Sequence, residues 1–115
     1  MDENEIKAEK ILAQYGYDFC NIDRTEIISL LNEGISNYSK GSSEYLRVLC
    51  GYLFCIGNAD DIELIKNAKY NINFDVGGMI DGDWLDSLNW ADSTTRSELM
   101  DKFISYYKYY FNLDK

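Results

Sequence analysis

No segment constrains this chain more than Glu44–Ile56. Wound as a helix, one side carries Leu46, Leu49, Cys50, Leu53 and Phe54, and the opposite side carries Tyr45, Val48, Tyr52, Cys55 and Ile56. A helix that is apolar all round must be buried all round. It is too short to span a bilayer, which takes roughly 20 apolar residues. The expected fold therefore has this helix at its centre, with other helices packed on both sides.

The flanking sequence supplies those helices. Ala8, Ile11, Leu12 and Tyr15 follow the helical apolar spacing, and Gly16 is placed to end that helix. Asp23 can cap a second helix whose stripe is Ile27, Ile28, Leu30, Leu31, Ile35 and Tyr38. Lys40-Gly41-Ser42-Ser43 is a break, with Ser43 a candidate cap for the central helix. Gly57-Asn58-Ala59-Asp60-Asp61 turns into a helix with Ile62, Ile65 and Ala68 inward, and its early acids suit the positive end of the helix dipole. Periodicity fades from Asn71 to Gly82, where Gly77, Gly78 and Gly82 interrupt it; Asn71–Val76 alternates like a strand, but one strand makes no sheet. A short helix is expected around Asp83 to Leu88. Asp92 or Ser93 then caps a long one through Leu99, Met100, Phe103, Ile104, Tyr107, Tyr110 and Phe111.

Proline is absent from all 115 residues, which suits helices joined by short turns. The expectation is a single all-α domain, 1–115: an antiparallel helical bundle or short α-solenoid of five to six helices.

Composition then excludes much chemistry. There is no histidine, so Ser-His-Asp and Cys-His sites cannot form and the common zinc and haem ligand sets lack a member. No phosphate-binding loop of the G-x-x-x-x-G-K-[ST] type occurs, and Arg24, Arg47 and Arg96 are scattered over three helices. At Asp81-Gly82-Asp83-Trp84-Leu85-Asp86 a calcium loop would need an oxygen ligand where Leu85 stands and glycine where Asp86 stands. Neither an enzyme nor a bound metal or cofactor is expected. Cys20, Cys50 and Cys55 are odd in number. Cys50 and Cys55 lie on different faces of an apolar helix, which reads as buried free thiols in a reducing compartment. The acidic Met-Asp-Glu-Asn-Glu start, with no apolar run after it, is unlike a secretory signal, so a cytoplasmic location is expected.

Charge is the remaining signal. The formal net charge of −9 disfavours nucleic acid and anionic membranes and permits a basic protein partner. From Asp60 to Asp92 eight acids face only Lys66 and Lys69, which places −6 of that −9 in under a third of the chain. Trp84 and Trp90 lie in the same stretch. Acids around aromatic anchors are what a site for a basic protein contains; the plain alternative is that the acids cap helices and the tryptophans fill core. In Tyr106-Tyr107-Lys108-Tyr109-Tyr110-Phe111 the aromatics encircle the helix, so Tyr106 and Tyr109 cannot both face inward. The candidate partner-binding residues are Asp60, Asp61, Asp75, Asp81, Asp83, Trp84, Asp86 and Tyr109.

The run from Gly57 to Lys69 (GNADDIELIKNAK), followed by Asn73-Phe74-Asp75 and Ile80-Asp81-Gly82, resembles a group of small bacterial helical-repeat proteins of HEAT or ankyrin type. Several of these serve as immunity proteins for polymorphic or contact-dependent growth-inhibition toxins. The resemblance covers roughly residues 44 to 88. It implies a protein that binds a cognate toxin, often a nuclease, and occludes its active site with an acidic surface; Asp75 and Asp81 match the acidic positions, and Asp60 and Asp61 match the turn. Apart from the resemblance, the residues equally suit a generic helical adaptor with no toxin partner.

Overall fold

A computed structural model describes residues 2–38, 40–90 and 92–111; the side chain of Trp90 is outside the described set, and with it the expectation placed on that ring. Among the described residues seven α-helices follow in order: α1 (Glu3–Tyr15), α2 (Arg24–Ser36), α3 (Glu44–Ile56), α4 (Ile62–Tyr70), α5 (Phe74–Met79), α6 (Gly82–Trp90) and α7 (Ser93–Tyr110). Short 3-10 turns at Phe19–Asn21 and Ala59–Asp61 lead into α2 and α4. Among the described residues no strand forms, and no helix is long and apolar enough to cross a membrane. The fold is all-α. The six helices expected from periodicity are present, and α5 is an addition where periodicity had faded.

Helix α3 is the hub. Val48, Leu49, Cys50, Tyr52, Leu53 and Phe54 on its opposing faces are all fully buried. It packs against α1, α2, α4, α5 and α6. Against α7 it makes one tight contact. The ring of Phe103 lies so near Gly51 that a Cβ there would sit 2.0 Å from Cε1. That contact requires glycine at position 51. Around it Phe19, Tyr52, Trp84, Phe103 and Tyr107 form a chain of edge-to-face and tilted rings with centroids 5.1 to 6.3 Å apart. The thiols of Cys50 and Cys55 are free and buried, and burial pushes the Cys55 thiol up to about 12 and raises Cys50 as well.

The ends of the helices show how local chemistry sets their limits. The carboxylates of Asp23 and Asp92 accept from the amides of Thr25 and Thr95, both at the expected caps. Gly16 closes α1 with φ 66° and Gly57 closes α3 with φ 88°. Ser43 stands at the N-cap of α3 as expected, its carbonyl accepting from the Arg47 amide at 3.1 Å, but its side chain makes no cap hydrogen bond; the hydroxyl of Ser42 accepts from the Glu44 amide at 3.1 Å instead. Arg96 reaches from α7 to donate to the last carbonyls of α3, Phe54 and Cys55, at 2.7 and 3.0 Å. A cation at that end complements the helix dipole.

Candidate functional site

The short helix α5 exists because its neighbours hold it. Asn73 caps it by accepting from the Val76 amide at 2.9 Å, and Val76 and Ile80 anchor its inner side. Its C-terminal carbonyls are then gripped by two cations. Lys69 Nζ donates to Gly77 O at 2.6 Å and to Ile80 O, while Arg47 Nε donates to Met79 O at 2.7 Å. Gly77 permits the grip, since a Cβ there would meet the Lys69 carbonyl at 2.6 Å. These contacts tie the chain between Asn73 and the start of α6 to α3 and α4.

This stretch and α6 carry four carboxylates. Asp75 is exposed in the first turn of α5. Asp81, half-buried, accepts from the Asp83 amide at 2.8 Å and so starts α6. Asp83 and Asp86 are exposed one turn apart on the outer face of α6, since residues three apart share a face. Among the described residues the one ion pair is Arg24–Asp61, so none of Asp75, Asp81, Asp83 and Asp86 is ion-paired, although Asp81 lines a groove with Arg47 and Lys69, which donate to backbone carbonyls. Asp60 is exposed as well, in the turn before α4.

Three of the expected contact residues do not join this group. Asp61 is only 2% exposed and takes a two-pronged hydrogen bond from Arg24, Nε to Oδ2 at 2.7 Å and Nη2 to Oδ1 at 2.6 Å. This pair ties α2 to the turn before α4 and raises the Arg24 pKa, mainly through the hydrogen bond to Asp61. The carboxylate is thus an internal strut and not a contact residue. Trp84, 2% exposed, stacks on Phe54 at 5.6 Å between ring centroids, with the Arg47 guanidinium 5.0 Å from its own. Its place is in the core because its ring fills the space between α3 and α7. Tyr109 is exposed, as anticipated for one of the tyrosine pair, but it belongs to α7 and lines none of the grooves around α5. Tyr106, the other member, is half-buried and donates to Glu44 Oε2 at 2.6 Å.

The structure adds residues that pattern reading passed over. Phe74 is 98% exposed and Tyr70 66% exposed, and the two flank an apolar groove of about 470 Å³ between α4 and α5. A signal for Phe74 was available. Its neighbours three and four positions on are Gly77 and Gly78, so it has no side chain of its own helix to pack against. Gly78 shares this groove, and nothing lies within 4 Å of where its Cβ would stand. Among the described residues no cluster of three or more Cys, Asp or Glu side chains is arranged to hold a metal ion. The chain matches no protein-family model, no curated protein and no solved structure.

Proposed function

We propose that this chain is a protein inhibitor of the immunity type, which binds a basic toxin through the acidic stretch of α5 and α6 and blocks its active site. One observation carries the reading: on α5, α6 and the link between them, Asp75, Asp83 and Asp86 are exposed and Asp81 half-buried, and none of the four is ion-paired among the described residues. A toxin that cleaves nucleic acid must carry a cationic groove for phosphate, and a set of carboxylates suits that groove. The bracing of α5 by Lys69 and Arg47 adds to the fit, because backbone that is already ordered loses little freedom on binding. Recognition by shape and field, without turnover, also suits a chain that lacks histidine. Action in the cytoplasm fits the free, buried thiols of Cys50 and Cys55.

The test is protection in cells. The chain is co-expressed with the toxin encoded beside its gene, and growth is compared with that of cells making the toxin alone. The reading requires restored growth with the parent chain, and loss of protection with Asp75, Asp83 and Asp86 all changed to Lys. Asp81 is left intact because it starts α6. Binding to a non-toxic protein, with no relief of toxicity, would favour the adaptor role and discard the inhibitor.

A further inference from the structure

The glycine at position 78 has no structural cause. Its φ is not in the left-handed region, and open space surrounds the place of its Cβ. Gly77 beside it is required by the Lys69 carbonyl, but Gly78 relieves no contact. Glycine within a helix costs stability relative to alanine, and bare backbone is otherwise used where another group approaches closely. What the missing side chain leaves open is the groove flanked by Tyr70 and Phe74. Two of the most exposed large apolar side chains in the molecule therefore stand beside a strip of bare backbone. Exposed aromatic surface of this kind marks a contact site.

We infer that this groove is an anchor pocket that takes one large apolar side chain from a basic segment of the partner. The inference rests on the reading of the partner as a basic protein and names where its central contact falls. Charge selects the occupant. Asp75 lines the next groove together with Phe74 and Gly78 and has no cation beside it there, while Asp81 lines the one beyond with Gly78, Arg47 and Lys69. Both cations are turned to the backbone, Lys69 to the carbonyls of Gly77 and Ile80 and Arg47 to that of Met79. A second copy of this chain would bring its own −9 and its own Asp75 against the rim, whereas lysines or arginines flanking an apolar residue would meet the carboxylates as that residue enters. The groove supplies apolar area and the rim supplies orientation.

Short synthetic peptides test this by NMR titration of the full chain, read at its backbone amides. In one peptide lysines flank a central Trp; in the second the Trp is Ala; in the third glutamates replace the lysines. The Lys-Trp peptide should shift the amides of Phe74, Gly77 and Gly78. The change of Trp to Ala should weaken binding by about tenfold or more, as for the loss of an interface anchor. Gly78→Leu fills open space, so its melting temperature should be no lower than that of the parent, while its Trp-dependent binding disappears. Phe74→Ala, at a side chain almost wholly in solvent, should weaken the same peptide. Equal affinity for the Trp and Ala peptides, or unchanged binding by both variants, overturns the groove and leaves the basic-partner reading standing. Equal binding of the lysine and glutamate peptides overturns both. Concentration-dependent self-association abolished by Phe74→Ala would place a second copy in the groove and overturn the inference.

Discussion

At the scale of single residues, the most demanding position is one with no side chain. Gly51 lets the Phe103 ring rest directly on the α3 backbone, and the ring is itself 1% exposed, with Tyr52, Trp84 and Tyr107 around it. It has no room to retreat. Gly51→Ala should destabilise the fold by about 1–3 kcal/mol, toward the upper end, as overpacking of a filled core does. A lower urea midpoint with unchanged slope checks this. Residue-level legibility divides along the same line. Asp23, Asp92 and Gly16 were readable because a cap is decided within a few positions of chain. Asp61 was not, because the Arg24 that turns it inward lies 37 positions away. Gly51 was not either, since its reason is a ring 52 positions further on, and nothing in the apolar pattern marks a glycine as a contact point.

Among the elements, α5 depends most on its surroundings. Six residues containing two glycines make a poor helix in isolation. Its sequence carries no sustained helical stripe, so the chain from Asn71 to Gly82 reads as a loop. Donors from α3 and α4 supply what propensity lacks. Lys69→Met keeps the aliphatic stem and removes the ammonium, leaving the Gly77 and Ile80 carbonyls without that partner. A hydrogen bond from a charged group contributes about 1.5–3 kcal/mol, so amide hydrogen exchange in α5 should quicken by about tenfold or more. Amides of the buried α3 should keep their protection. Uniform acceleration across the molecule would mean that α5 opens only with the whole fold. The candidate face was legible to the same degree as its scaffold. Its acids stood out in the sequence, but their bracing and the groove beside them depend on contacts from other helices.

For the whole molecule, the interior sets the response to pH. Burial, together with hydrogen bonds to Glu44, raises Tyr106 and Tyr107; burial likewise raises Tyr52, and burial with Glu5 moves Tyr110 up to about 12. A tyrosine held above its ordinary 10.0 in the folded state favours folding fully below that value, and the contribution is lost as pH rises through the folded value. Stability should therefore fall from about pH 10 upward. Tyrosinate absorbance should show a late fraction of tyrosines that ionise only as helical signal disappears. Ionisation of every tyrosine near pH 10 with helicity intact would contradict the buried network joining α3 to α7.

The claim on which the functional account rests is that the carboxylates of α5 and α6 act as a field on a basic partner. The most direct measurement is the rate at which the chain associates with the basic toxin proposed as its partner, followed over a range of ionic strength. Asp75, Asp83 and Asp86 changed together to Lys shift the formal charge by two each, from −9 to −3. Association of the variant should be slower by about tenfold or more at low salt, with the two rates converging once the screening length falls to about 3 Å near 1 M salt. Equal rates for parent and variant at low salt would contradict the claim.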